Sequence, residues 1–484
     1  MSLLIPGTNS IKDTGYEVTN SLRVDTASND HLSRSISSAG SGQIWTASAW
    51  FKRSVLGQSA SIYCSSKSDT TANFRCLFIE GADRVQCAFY DGGYTFQVET
   101  SALLRDQSAW YHIVTAVDTT QSTDTDRVKI YINGTLQTSF STANYPSHNS
   151  TLNFSGTDIK QLVSSLRDGS SIHNSGYIAE LHILDGVAKQ ASDFGEYDED
   201  SPTIWKPKEY DGSYGTNGFY MEFKQSGTSA DSSGIGADTS GNNNHFSVHN
   251  ITAVDQSTDT CTNNFATLNP LNAASGGTFT LSEGNLRVKG ADTIEGYTSS
   301  TIGFSQGKWY FECESNFNTQ GVVGITFDGD SGQVADDVRS DRYPGNATYS
   351  YGYIFSSGNK ITNSSGSSYG NSLATGDILG VAIDLDNMKL YFSKNGTFQN
   401  SGDPTSGSTG TGAIDLTGSG STGFCFVTVG DNNNAGYGQI DFNFGSPFFS
   451  ISSGNADANG HGIFEYSVPS GYFALCSKNL AEFG

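Results

Sequence analysis

The chain has 484 residues, with 26 Lys and Arg against 49 Asp and Glu and a formal net charge of -23. A surface that acidic repels phosphate backbones and anionic headgroups, which excludes nucleic-acid binding and argues against membrane insertion. Its 56 Gly, 23 Tyr and 9 Pro describe turn-rich β structure, and at roughly 100–200 residues per domain the length calls for two to four domains.

The opening MSLLIPGTNSIKD lacks a basic n-region and carries a short apolar run before Gly7, so it reads as an attachment segment (1–20) and not as a secretory signal. From there the chain alternates apolar and polar residues in short runs split by Gly, Asn, Asp and Ser, the pattern of antiparallel sandwiches. The fold class expected is all-β, tandem antiparallel β-sandwiches with very little helix. Seven cysteines form no CxxC pair, and several lie in apolar strand patterns, such as Cys313 in WYFECES and Cys425 in FCFVTV. They are expected as buried reduced thiols, matured in a reducing cytoplasm.

The run KIYINGTL (129–136) has Val128, Ile130 and Ile132 on one face before Asn133-Gly134. A three-residue loop with a bulge, setting Ile132 against Leu136 and Val128 against Phe140, is the expected register. The best helical segment is ASDFGEYDED (191–200), with Ser192 as N-cap. Later, KLYFSKNGTF (389–398) repeats the basic residue, the apolar run and Asn-Gly-Thr. Just before it, VAIDLDNMKLYF fits a hairpin around Asp386-Asn387 with Ile383 facing Leu390, Val381 facing Phe392 and Asp384 facing Lys389. The flanks of the two Asn-Gly copies do not align, so they read as one turn device used twice and not as a duplication.

Composition shifts divide the chain into an N-terminal segment (1–20), a first sandwich (21–200), a connector with short strands (201–279), a second sandwich (280–449) and a C-terminal tail (450–484). SLRVDTASNDHLSRS, IWTASAWFKRS, WYHIVTAVDTT, DRVKIYINGTLQTSF and YIAELHILDGVAKQASDF resemble a laminin-G-like domain of the concanavalin A-like lectin/glucanase superfamily. GKWYFECES, GVVGITF, YSYGYIFSSGNKITN, GDILGVAIDLDNMKLYFSKNGTF and FVTVGDNN followed by QIDFNFG are similar to a SPRY domain. The tandem, with its connector WKPKEYDGSYGTNGFYMEFK, resembles virion appendage proteins of tailed, marine-type bacteriophages.

That resemblance implies a non-enzymatic tail-fibre or capsid-fibre component at the virion surface, assembled in the host cytoplasm. Its partners would be other virion proteins and a host-surface glycan or protein, and by analogy it would form a homo-trimer. The alternatives are a glycan-degrading tail depolymerase and a capsid decoration protein without a receptor role.

No motif announces a reaction. Glu196, Asp198 and Asp200 imitate the strand-borne carboxylates of glucanases, where a retaining pair needs about 5 Å of separation, but they fall after the closing strand. GSSYG (366–370) matches a nucleophile elbow in the wrong setting, before a strand. His245 and His249 lie roughly 13 Å apart if extended, too far for one metal. No cofactor is expected. Calcium is the one cation whose chemistry the sequence suits, with Asp328 and Asp330 in FDGDSG as its candidate ligands. Flat rings flanked by polar side chains suit recognition. By its place in the variable loops of SPRY domains, Tyr343 leads the ligand-binding candidates, with Asp341 and Arg339 before it; Tyr94 and Asp91 in DGGY follow. Tyr351 and Tyr353 are expected in the core.

Overall fold

The computed structural model describes residues 15–67, 72–152, 154–167, 173–272, 279–290, 297–317, 321–328, 343–418, 420–431 and 438–484. The chain folds as two compact units, one running to Asn263 and one from Asn264 onward. Most of the N-terminal segment (1–14) lies outside the described residues.

The first unit is a sandwich of two sheets of antiparallel strands. One sheet runs, edge to edge, Thr135–Leu136, Val128–Ile132, Trp110–Asp118, Ile44–Arg53, Gly176–Asp185, Ser21–Val24, Gln256–Ser257. The other runs Phe140–Asn144, Tyr94–Leu103, Arg84–Tyr90, Asn73–Ile79, Ala60–Lys67, Ile159–Val163, His31–Ser35, Ser247–His249. Alternation in each strand sends one set of side chains between the sheets. Trp45, wholly buried, stacks on Phe154 at 4.7 Å and meets the edge of Phe74 at 5.0 Å.

Asn133-Gly134 forms a two-residue turn with both φ values positive (46° and 79°), placing Thr135 opposite Ile132 and Leu136 opposite Tyr131. The bulged three-residue register expected from apolar matching does not form. Phe140 crosses to the other sheet and pairs with Thr100, so no apolar partner was needed on the return strand. Asn395-Gly396 makes the same turn, with φ 47° and 77° and Lys394 opposite Thr397.

The expected helix at 191–200 shrinks to one 3-10 turn, Ala191–Asp193, capped by Gln190 and not Ser192. Gly195–Tyr197 then pairs with Trp205–Pro207 as a small hairpin. Residues read as a connector complete the first sandwich. Phe219–Met221 lies on Gly176–Asp185, Ser247–His249 edges one sheet and Gln256–Ser257 the other.

The second unit has a sheet ordered Phe279–Ser282, Arg287–Gly290, Gln439–Asn443, Lys308–Phe317, Ile378–Asp384, Lys389–Lys394, Thr397–Phe398. Its partner sheet runs Tyr297–Phe304, Cys425–Asp431, Gly321–Phe327, Ser350–Ile354, Asn359–Thr362, Ser365–Ser368. The hairpin register is the expected one: Val381 opposite Phe392, Ile383 opposite Leu390, Asp384 opposite Lys389. The ion pairing differs, because Lys389 reaches Asp415 at 3.0 Å while buried Asp384 takes Lys308 at 3.1 Å. The tail after 450 packs on this unit. Phe473–Ala474 runs parallel to Lys308–Phe317 and a helix, Ser477–Phe483, ends the chain. None of the seven cysteines is in a disulfide, and six are buried.

Candidate functional site

The outer face of the second unit's smaller sheet carries the best-formed surface feature. Val322, Ile354 and Ile361 come from three neighbouring strands and form an apolar cluster on which the half-buried ring of Tyr343 packs. Strand sterics permit this because Gly352 lies beneath: a side chain there would sit 2.5 Å from the Pro344 carbonyl oxygen. The Gly345 amide donates to Ser350 Oγ at 2.7 Å, the Asn363 amide to the Ala347 carbonyl at 3.0 Å, and the Ser364 amide to the Gly345 carbonyl at 2.9 Å. Tyr343 is thereby presented on a braced loop, the arrangement that lowers the entropy lost on binding.

Of the residues expected near Tyr343, Asp330, Arg339 and Asp341 lie outside the described residues. Asp328 closes a backbone pair, its carboxylate accepting from the Phe424 amide at 2.7 Å and its own amide donating back at 2.9 Å. Tyr351 and Tyr353 are core residues, 3% and 0% exposed.

Tyr94 and Asp91 lie on the first unit. DGG (91–93) turns between Tyr90 and Tyr94, which pair across the hairpin with rings edge-on at 5.2 Å. Asp91 is exposed at the tip. The Tyr94 hydroxyl accepts from Arg75 Nη1 at 2.8 Å, a partner the sequence reading missed because Arg75 is remote in sequence and adjacent only through strand pairing.

The motifs that imitate catalysis dissolve into structure. Asp198 accepts from the Asp200 and Ser201 amides and meets Lys206 at 3.2 Å, while Glu196 stands 3.9 Å from the same lysine. In GSSYG the serines belong to the edge strand Ser365–Ser368, and Tyr369 is buried. His245 accepts from the Asp238 amide, whereas His249 stacks on His31 at 4.3 Å. One serine–imidazole contact does occur, Ser48 Oγ to His112 Nε2 at 2.9 Å. Trp205 donates its indole N–H to His112 Nδ1 at 2.9 Å, so Nε2 carries the ring proton and donates to the serine. Burial and the neighbouring His182 push His112 down to about 3. Such an imidazole holds the wrong tautomer to activate a hydroxyl. Among the described residues no group of three His, Cys, Asp or Glu side chains is placed to hold a metal ion.

Both units match known protein families in part of their length. Residues 26–192 match the concanavalin A-like lectin/glucanases superfamily and residues 308–411 match the SPRY domain. A Ran-binding proteins 9/10 homolog of Drosophila melanogaster is 34% identical over 125 residues, 24% of this chain and 12% of that protein. Ran-binding protein 9 of Homo sapiens is 33% identical over 125 residues, 24% of this chain and 16% of that protein. The chain therefore spans only a small part of the length of the curated relatives it matches. Among solved structures, the SPRY domain of human HERC1 aligns at 13% identity and a TM-score of 0.28, covering 36% of this chain and 96% of that one.

These relatives correct the expected role. They are animal Ran-binding proteins, not virion proteins, and with that the phage appendage function, the virion and host-glycan partners, the trimer drawn from them and the virion-surface location give way. The depolymerase and capsid-decoration alternatives rested on the same premise and fall with it. That expectation rests on tandem order and the connector sequence, and an arrangement of folds does not carry a partner or a location with it. What the residues and the matches together establish is the architecture: a concanavalin A-like, laminin-G-like domain followed by a SPRY domain.

Proposed function

We propose that the protein is a non-catalytic binding protein whose SPRY domain docks a partner polypeptide on the surface around Tyr343. The observation that carries this reading is the Tyr343 ring, half exposed, seated on Val322, Ile354 and Ile361, with the loop that follows it braced by hydrogen bonds at Gly345 and Ala347. Aromatic anchors on preorganised loops supply most of the energy in protein interfaces, commonly 2 kcal/mol or more when truncated. The serine–imidazole geometry and the paired acids of 196–200, neither set up for catalysis, support a non-enzymatic role.

The curated relatives are named for binding Ran, which makes Ran the first protein to try as a ligand. The test is calorimetric titration of the full chain with Ran and, in parallel, a peptide-display selection against the immobilised chain. Binding that falls at least tenfold in Tyr343→Ala, with unchanged thermal unfolding, supports the reading. Ligands that bind the Tyr343→Ala chain as tightly as the wild type would sink it.

A further inference from the structure

Arg75 stands on the outer face of the first domain's second sheet, half exposed, in the strand Asn73–Ile79. Its guanidinium lies over three rings, with Cζ 4.6 Å from the Phe78 centroid, 5.4 Å from Tyr94 and 5.9 Å from Tyr90. Nε donates to Asn73 Oδ1 at 3.2 Å, and Nη1 donates to Gln86 Oε1 and the Tyr94 hydroxyl, both at 2.8 Å. Every one of these acceptors is neutral. Among the described residues no carboxylate pairs with Arg75, and no acceptor is assigned to Nη2.

In a chain with 49 acids and 26 bases, carboxylates are plentiful, yet none among the described residues neutralises this guanidinium. Some buried cations here have carboxylates, as Lys52 has Asp259 at 2.8 Å and Arg53 has Asp83 at 2.9 Å, whereas half-buried Arg34, like Arg75, is held by neutral acceptors, Gln161 and Asn244. Arg75 is fixed by three rings and three hydrogen bonds, yet its two remaining N–H donors and its charge are left to the outside. A guanidinium fixed by stacking and by three hydrogen bonds has already lost its rotamer freedom, so an anion meeting it gains the charge-assisted bond at low entropic cost.

The surroundings narrow the anion. Gln86, which accepts from Arg75, donates its Nε2 to Glu99 at 3.1 Å. Gln97 and Ser141 also donate to Glu99, at 3.2 and 2.8 Å. A carboxylate is therefore one amide away, and a dianionic phosphate facing a single cation beside it would be repelled, whereas a singly charged carboxylate is matched. Sugar stacking is disfavoured as well, because Tyr94 already gives one face to Arg75 and meets Tyr90 edge-on. What remains for a ligand is polar: the Nη2 donors and the Tyr94 hydroxyl, whose proton is not used in the bond from Arg75.

We propose that Arg75 and Tyr94 form a carboxylate-binding site on the concanavalin A-like domain that takes an acidic side chain of a partner polypeptide. Nη2 donates to the carboxylate and the Tyr94 hydroxyl donates alongside it. The site is on a different domain from the Tyr343 surface and stands or falls independently of it.

The test titrates the full chain with hexaglutamate, hexaglutamine and a trigalacturonate by calorimetry. Hexaglutamate should bind, hexaglutamine should not, and Arg75→Gln should weaken the hexaglutamate affinity at least tenfold while thermal unfolding stays unchanged. Tyr94→Phe keeps the ring and removes the hydroxyl, so a several-fold loss is expected there, which keeps the test open if Arg75→Gln fails to fold. In the wild-type chain, the Arg75 side-chain nitrogen resonances should shift on adding hexaglutamate. Equal binding of hexaglutamate and hexaglutamine, or hexaglutamate affinity untouched by either variant, overturns the proposal. Arg75-dependent binding of trigalacturonate in preference to hexaglutamate overturns the polypeptide assignment.

Discussion

The Tyr220 hydroxyl donates to the Glu180 carboxylate at 2.8 Å, at the point where two short strands meet end to end along Gly176–Asp185. Ser21–Val24 pairs with one half of that strand and Phe219–Met221 with the other. Between them the register shifts, and Glu180 takes a positive φ of 49°. The carboxylate, 5% exposed, also accepts from Tyr16 at 3.0 Å. One bulged acid thus ties residues from three distant parts of the chain. Glu180→Ala removes both bonds, and since the two hydroxyls lie 3.0 Å apart one can turn to the other while the second loses its acceptor, a net loss of about 2 kcal/mol. Glu180→Gln, which retains an acceptor, should lose roughly half as much, and urea unfolding measures both.

Alkaline pH should strip the same region. Burial, and the charge of Glu180, push Tyr16 and Tyr220 well above the ordinary tyrosine value, and burial with Tyr210 and Glu180 does the same to Tyr214. The folded state then keeps protons that the unfolded chain releases near pH 10. The stability these groups contribute is whole below pH 10 and declines as the pH rises further. Tyrosinate absorbance near 295 nm should therefore grow in step with the loss of near-UV circular dichroism above pH 10. A smooth titration of all tyrosines around 10 with the fold intact would contradict this.

Gly134 is the second residue of its turn, and the turn rests on Trp205. At φ 79°, a Cβ on Gly134 would lie 2.4 Å from the Trp205 ring. Gly134→Ala combines left-handed backbone strain with displacement of an indole that donates to His112. The expected cost is about 2 kcal/mol or more, read from the thermal midpoint and from tryptophan fluorescence. A Cβ on Gly396, in the matching turn, would lie 2.5 Å from the Tyr466 ring, so Gly396→Ala should behave alike.

Those two turns also mark what was legible in the sequence. Asn-Gly between apolar runs specifies positive φ locally, and the 381–392 register could be read because apolar and charge patterns agree within one hairpin. The ion pairs could not, since Lys308 and Asp415, which take Asp384 and Lys389, arrive from other strands. The same holds for Arg75: its acceptors come from strand pairing and from a hairpin turn, and no spacing in the sequence announces them. Tyr343 could be placed from the resemblance, but its footing on Val322, Ile354 and Ile361 joins three strands. Residues 205–263 were opaque for another reason. Their strands run to two or three residues, too short to show alternation, and what holds them is hydrogen bonding of Asn217, Asp238 and Asn244 to distant backbone.

The C-terminal tail is secured by one buried acid, and this gives the sharpest prediction for the SPRY domain. Glu312, 0% exposed, accepts from the Glu465 and Tyr466 amides at 2.9 Å each and from the Tyr310 hydroxyl at 3.0 Å. The tail covers Tyr310, Ala382 and Tyr391 with Phe464, Tyr472 and Ala474. Burial raises Glu312 above the ordinary glutamate value. Its ionised form is therefore held at a cost, and the contribution of this group is greatest below pH 4.5 and falls as the pH climbs through its raised value. Glu312→Gln keeps the size but turns an N–H₂ toward one of the donors, a clash that should cost about 2 kcal/mol. Because the mismatch falls on the tail's own backbone, its first effect should be local. Limited proteolysis should cut the variant between 450 and 470 while the sandwich core stays protected, and that cutting should exceed wild type most at acid pH, where the native carboxyl is least penalised. Uniform cleavage across both domains would mean that Glu312 supports the whole sandwich and not the tail alone.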